Sequence, residues 1–407
     1  MKALVLAGGF PQIALLNELR RREIETVLAD YYENPVAKPY ADKFYQKSTL
    51  DIEAITKIAK NENVDFLITA CTDQALLTVA KVSEMLALPC YIDYQTALNV
   101  TNKQYMKQVF SENGIPTAAF AVMGELDESK IKNMTFPLIV KPVDCNSSKG
   151  VKRVTNREEL VLAFGNAVKL SRTDTAIVEE YIEGDEISAD IYVEDGQAHV
   201  LSVSSLDKIG NNDRFIIFRG RYSYDKTEEV KETIRDIAQK IADAFNLKNS
   251  PMLIQMIYDG KKAYVLEFSA RTGGGVKYYF IKKVSGFDVI SAVVDLTLGI
   301  KPTLNISAPE NKYITNEFIY CKPGVFKRLE EFDELKAEGV ISEYCLFKRE
   351  GAVFDTIENS GDRIAGFTIQ ADTTEELKNK HEEAVRRMRV LDENNNDIMR
   401  RDFLKFM

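Results

Sequence analysis

Apolar positions recur on two periods through the first hundred or so residues. Lys2–Ala7, Glu25–Ala29, Val64–Thr69 and Pro89–Ile92 are short apolar runs of strand length, the second closed by Asp30. Between them the spacing becomes helical. Pro11–Arg22 carries Ile13, Leu15, Leu16 and Leu19 on one face, with proline near the helix start. Asp51–Asn61 does the same with Ile52, Ile55, Ile58 and Ala59, and Asp73–Leu86 is a third helix. Strands alternating with helices over such short connections predict a parallel sheet flanked by helices.

After about residue 100 the alternation stops. Lys103–Asn113 is a helix ended by Gly114 and Pro116. Strands follow at Phe120–Met123, Pro137–Pro142 and Val151–Thr155, then a helix at Arg157–Leu170. Ala176–Ile182, Glu186–Glu194, His199–Ser204 and Phe215–Phe218 are further strands, and Asp195-Gly196 is a hairpin signal. A long helix at Thr227–Phe245 precedes a hairpin of Met252–Tyr258 and Ala263–Phe268 around Asp259-Gly260. The tail gives strand Tyr313–Cys321, a helix near Arg328–Ala337, strands near Ile341–Phe347 and Ala365–Ala371, and a helix from Thr374. The expected class is α/β followed by α+β, in three units: 1–100, 101–308 and 309–407.

Composition narrows the function. The chain has 407 residues, enough for several cores, and carries a net charge of −9 with no basic block. Nucleic acid and an anionic membrane surface are therefore not the expected partners. No apolar run approaches the roughly 18 residues of a membrane span, and the N-terminal run reads as a strand instead of a signal peptide. Five scattered cysteines without a C-x-x-C pair suit a reduced, cytoplasmic protein. Two histidines, His199 and His381, leave little for a His-rich metal site or a Ser-His-Asp triad.

Four stretches carry candidate chemistry. Gly8-Gly9 follows the first strand, and Asp30 lies near the position of a ribose-binding acid, but G-x-G-x-x-G is absent and a tight strand-to-helix turn is the favoured reading. Lys141 sits at the end of a strand before Asp144-Cys145-Asn146-Ser147-Ser148-Lys149-Gly150, small residues whose backbone N–H groups could close over phosphate. Glu179-Glu180-Tyr181-Ile182-Glu183-Gly184-Asp185-Glu186 is an extended segment with an acidic bend, able to pair with a purine edge and a ribose. Gln255 lies in one strand of the last hairpin, and Glu267, Ser269 and Arg271 alternate along the other. Oxygen donors on one face suit Mg²⁺, and the guanidinium supplies a fork for carboxylate or phosphate. A carboxylate in so apolar a strand needs a counter-charge.

In this order and spacing the stretches resemble the ATP-grasp superfamily of carboxylate–amine ligases, across roughly residues 1–300 and more weakly the tail, where Asp362-Arg363-Ile364-Ala365-Gly366 is similar to the D-R-x-G of biotin-carboxylase-like members. The resemblance implies an N-terminal Rossmann-like domain, two α+β subdomains clamping ATP, and a small C-terminal domain. It implies Lys103 at the α-phosphate, Lys141 between phosphates and adenine, and Ser147, Ser148, Lys149 and Gly150 as the phosphate cover. Glu179, Glu180, Tyr181 and Ile182 would form the adenine hinge, and Glu186 would bind the ribose. Gln255, Glu267 and Ser269 would hold Mg²⁺ or Mn²⁺, with Arg271 and Lys141 catalytic. The phosphate loop has one glycine where many members have three or four, and Ser269 stands where most have Asn.

The implied activity is an ADP-forming ligase that joins a small-molecule carboxylate to an amine or ammonia through an acyl phosphate, with a homodimer as candidate assembly. The Lys-Pro-Val-Asp and Ser-Ala-Arg-Thr-Gly-Gly-Gly runs look closer to amino-acid ligases. Phosphoribosylglycinamide synthetase-like and carbamoyl phosphate synthetase-like members, and a non-catalytic ATP-binding regulatory protein, remain alternatives.

Overall fold

The computed structural model describes residues 1–145, 148–209, 215–222, 227–309 and 311–406. The N-terminal region is a parallel sheet in the order β3-β2-β1-β4, formed by β1 (Lys2–Leu6), β2 (Glu25–Asp30), β3 (Lys43–Gln46) and β4 (Phe66–Ile68). Helices α1 (Phe10–Arg21), α2 (Ile52–Glu62) and α3 (Asp73–Leu86) cross between or follow these strands. Two elements differ from expectation. Lys43–Gln46 is the edge strand, half-exposed on both faces and therefore without an apolar run to announce it. Pro89–Ile92 is not a strand: it bends into α4 (Tyr94–Thr101), which Asp93 caps by accepting from the Thr96 amide. The Gly8-Gly9 turn is tight for a steric reason, since a Cβ on Gly8 would lie 2.5 Å from Pro35. Asp30 accepts from the amides of Gly8 and Tyr32, so its carboxylate is spent on holding this turn.

Helix α5 (Lys103–Glu112), capped by Asn102, leads into a four-stranded antiparallel sheet, β5-β8-β6-β7. Its strands are β5 (Phe120–Met123), β6 (Leu138–Pro142), β7 (Lys152–Val154) and β8 (Ala176–Glu180), backed by α6 (Arg157–Leu170). The second sheet has eight antiparallel strands. It begins with β9 (Asp185–Glu194), β10 (Gln197–Lys208) and β11 (Ile217–Tyr222), the last displaced along the chain from the expected Phe215–Phe218. After α7 (Thr227–Ala244) come β12 (Ser250–Tyr258) and β13 (Ala263–Ser269), then α8 (Lys277–Ser285), α9 (Val289–Thr297) and β14 (Tyr313–Ile319).

The tail adds β15 (Gly324–Glu330), α10 (Phe332–Ala337), β16 (Glu343–Leu346), β17 (Val353–Phe354), β18 (Ala365–Ala371), α11 (Thr374–Arg387) and β19 (Arg389–Asp392). The helix expected from Arg328 starts four residues later, because Gly324–Glu330 pairs with β19 and Glu331, at φ 71°, breaks the chain before α10. The large sheet runs β13-β12-β9-β10-β11-β14-β18-β16 and so continues without interruption from the central region into the tail.

The β11–β14 seam contains buried charge. Arg219 donates to Glu317 at 2.6 Å, and the Nε2 of His381 lies 3.7 Å from the same carboxylate. Burial would raise the Glu317 pKa, but His381 and Arg219 overcome it and hold it below the usual range. Arg219→Met should strand this carboxylate and destabilise the protein by about 3–5 kcal/mol. A lower midpoint in calorimetric unfolding is the expected result, and an unchanged midpoint would remove the pair from the stability of the seam.

Candidate functional site

A cavity of about 870 Å³ lies between the small and large antiparallel sheets and takes side chains from both. From the small sheet come Lys141 and Glu179. Ile139 is paired with Glu179 across β6 and β8, so Lys141, two residues along, shares its face. Their charged ends meet at 2.7 Å. A second ammonium shares the carboxylate: Lys107 of α5, buried to 1%, lies 2.9 Å from Glu179 and donates to Thr117 Oγ1 at 2.5 Å. Burial alone would raise the Glu179 pKa, but the two lysines overcome it and hold the group at about 2. One helical turn earlier, Lys103 donates to the Cys145 carbonyl at 2.5 Å and lies 3.3 Å from Glu267.

The large sheet presents a row of polar groups. Glu267, Gln255 and Ser188 lie opposite one another across β13, β12 and β9. Gln255 Nε2 is 3.5 Å from Glu186, which also pairs with Lys208 of β10. At the end of β13, Arg271 engages Asp73 through Nε at 2.8 Å and through Nη2, while Nη1 donates to the Thr272 carbonyl. Burial would raise the Asp73 pKa, but the Arg271 charge, with help from Ser269, keeps it low.

These positions bear directly on the expected residues. Lys103, Lys141, Ser148, Lys149, Glu179–Ile182, Glu186, Gln255, Glu267 and Arg271 all line the one cavity. Ser148 Oγ donates to the Phe215 carbonyl, and Gly150, at φ 75°, packs so closely that a Cβ would lie 2.8 Å from Leu170. Ser147 falls outside the described residues. The Glu180 and Tyr181 amides donate to the Ala119 and Pro137 carbonyls. Three details depart from the sequence reading. The Glu179 side chain, expected at an adenine hinge, is an ion-pair hub. Arg271 is not a fully open fork, because Asp73 occupies its Nε and Nη2 side. Ser269, two residues from Glu267 on the same strand face, is buried and reaches Asp73.

Asp73 and Lys107 are the functional candidates that sequence reasoning missed. Signals existed for both: Lys107 is one turn from Lys103 on the same helix face, and Asp73 follows β4 at the carboxyl edge of a parallel sheet, where open α/β sheets bind ligands. Among the described residues no three His, Cys, Asp or Glu side chains cluster to cage a metal. Mg²⁺ does not require a cage, since one or two carboxylates with phosphate and water oxygens suffice. Glu267, with Gln255 opposite and Glu186 beside it, fits that donor set. The Cys71 thiol also lines the cavity, but burial pushes its pKa up to about 12, so it is no thiolate nucleophile.

Two parts of the chain match known domain families. Residues 134–278 match the ATP-grasp domain, and residues 317–391 match the L-amino acid ligase C-terminal domain 2. A formate-dependent phosphoribosylglycinamide formyltransferase from Prochlorococcus marinus is 30% identical over 45% of this chain and 48% of its own. An L-arginine-specific L-amino acid ligase from Bacillus subtilis is 23% identical over 67% of each chain. The L-amino acid ligase structure from Bacillus licheniformis superposes with a TM-score of 0.81 at 20% identity, covering 97% of this chain and 99% of that one. The match thus spans about half the length of the first of these relatives. Residues 134–278 thus match an ATP-grasp domain and residues 317–391 a C-terminal domain of the L-amino acid ligase type.

The buried hub predicts a pH dependence. The folded pKa of Glu179 is depressed from 4.5 to about 2, so its contribution to stability is complete above pH 4.5 and is lost as pH falls toward 2. Wild-type stability should drop through that window more steeply than that of Glu179→Gln, by at most about 1.4 kcal/mol per pH unit. Urea midpoints at several pH values check this, and parallel curves would contradict it.

Proposed function

We propose that the protein is an ATP- and Mg²⁺-dependent ligase that joins a carboxylate to an amine through an acyl phosphate, with an amino acid as the carboxylate substrate. The observation that carries this reading is the cavity between two antiparallel sheets, whose wall, among the described residues, carries eight lysine and arginine side chains against seven carboxylates, with Lys103, Lys141 and Lys208 paired to Glu267, Glu179 and Glu186. Such a wall has spare positive charge for a polyphosphate. The described part of the 144–150 loop, with Ser148 and Lys149, covers the phosphates, and Ile182 offers its amide to the adenine edge.

The substrate carboxylate attacks the γ-phosphorus, ADP leaves, and the amine then displaces phosphate from the acyl phosphate. The chain's own contribution is alignment and charge. Lys141 reaches the phosphates, and Lys103 leaves Glu267 to join them. Glu267 and Gln255 would hold Mg²⁺, which would neutralise charge on the transferring phosphoryl group. Arg271, held by Asp73, presents its remaining edge to substrate. Residues 309–407 act as a C-terminal domain that closes the substrate end, where Phe318, Phe347 and Arg363 reach the cavity. Residues 1–100 form the pre-ATP-grasp domain, and 101–308 the ATP-grasp unit.

Lys141→Ala should weaken ATP by about 1.5–3 kcal/mol, the range for a hydrogen bond to a charged group. Calorimetric titration measures this, and an unchanged affinity would take Lys141 out of the site. Glu267→Gln should lower kcat by on the order of a hundredfold with a smaller change in ATP affinity. Hydroxylamine with ATP and a panel of amino acids should trap a hydroxamate in the wild type and little in this variant. No hydroxamate and no substrate-dependent ADP from any carboxylate would overturn the ligase reading.

A further inference from the structure

We propose that Lys107 is a positioning residue: by sharing the Glu179 carboxylate it leaves the charge of Lys141 available to the nucleotide phosphates. The inference rests on the reading of the cavity as a nucleotide site, and goes beyond it by assigning work to a side chain that no nucleotide can touch.

The geometry makes Lys107 costly unless it has a task. Its ammonium is buried to 1%, where an unpaired charge costs several kcal/mol by any measure. Three separate parts of the chain converge on it: Thr117 Oγ1 at 2.5 Å, the Val265 carbonyl at 3.4 Å, and Glu179 at 2.9 Å. Lys107 thus spans the segment before β5, the strand β13 and the strand β8. A structural salt bridge could be supplied by Lys141 alone, because Lys141 already meets the other Glu179 oxygen at 2.7 Å.

The charge balance gives the task. Lys107, Glu179 and Lys141 together carry one net positive charge, and Lys141 is the member that lines the cavity alongside Glu179. With Lys107 in place, Glu179 is neutralised from behind and Lys141 can turn toward a phosphate without stranding a buried anion. Without Lys107, each movement of Lys141 toward phosphate would leave Glu179 bare in the protein interior, and Lys141 would stay on the carboxylate. The effect reaches the ligand through Lys141, so Lys107 is not itself a catalytic group.

A double-mutant cycle tests this on the full chain. Mg-ATP affinity is measured by calorimetry for the wild type, Lys107→Met, Glu179→Gln and the double variant, with thermal midpoints for each. Lys107→Met should bind ATP about tenfold or more weakly, since it ties Lys141 to Glu179. Glu179→Gln in the same chain removes the anion, so the double variant should regain affinity to within about threefold of wild type. A purely structural Lys107 would instead lower ATP affinity only in step with the loss in thermal midpoint, in both the single and the double variant. Wild-type affinity in Lys107→Met, or a double variant as weak as Lys107→Met, overturns the positioning role while leaving the nucleotide reading intact. Failure of the wild type to bind ATP overturns that reading itself. Should Lys107→Met fail to fold, the double variant, in which both members of the buried pair are neutral, carries the test: near-wild-type affinity supports the role, and a loss beyond about tenfold overturns it.

Discussion

The Glu179 carboxylate, buried between two lysines, is the constraint on which the rest of the site depends. A charge in a protein interior must be met by opposite charge and hydrogen bonds. Meeting this one draws together α5, β6 and β8, and through Lys107 also Thr117 and the Val265 carbonyl of β13. The small sheet is thereby tied to the large one at the back of the cavity. Lys103 and Glu267 make a second tie nearer the opening, from the first turn of the same helix to the same strand. The cavity is therefore set by shared carboxylates as much as by apolar packing.

The same economy governs the substrate end. Arg271 and Asp73 join the end of β13 to the start of α3, so the N-terminal sheet is fixed against the large sheet by a half-buried bidentate pair. On the far side the large sheet runs on into β14, β18 and β16, which brings the tail to the cavity as a wall instead of an appendage. Phe318 and Phe347 lie with centroids 6.1 Å apart, Phe10 of the N-terminal turn meets Phe347 at the same distance, and the Arg363 guanidinium stacks 3.6 Å over Phe318. Three distant stretches of chain thus form one aromatic corner. No helix among the described residues is long and apolar enough to cross a membrane.

Periodicity alone determined much of this protein. The alternation of apolar runs set the parallel N-terminal sheet, and the Asp-Gly turn set the β12–β13 hairpin, but it is a bulge between Gln255 and Met256 that puts Gln255 opposite Glu267. The candidate lysines Lys103 and Lys141, the acidic segment 179–186 and the candidate ligands Gln255 and Glu267 were legible only as an ordered set of motifs, spread over α5, β6, β8, β9, β12 and β13. Edge strand β3, the break at Glu331 and the bend at Pro89 were not legible, since each is decided by a partner strand or cap that local pattern does not name. Most of the charge pairing was decided only by tertiary structure. Nothing in the order of residues says that Lys107 and Lys141 share Glu179, that Lys103 meets Glu267, or that Asp73 pairs with Arg271. Those choices depend on which charges are removed from water together, and burial is a property of the packed fold, not of any segment within it.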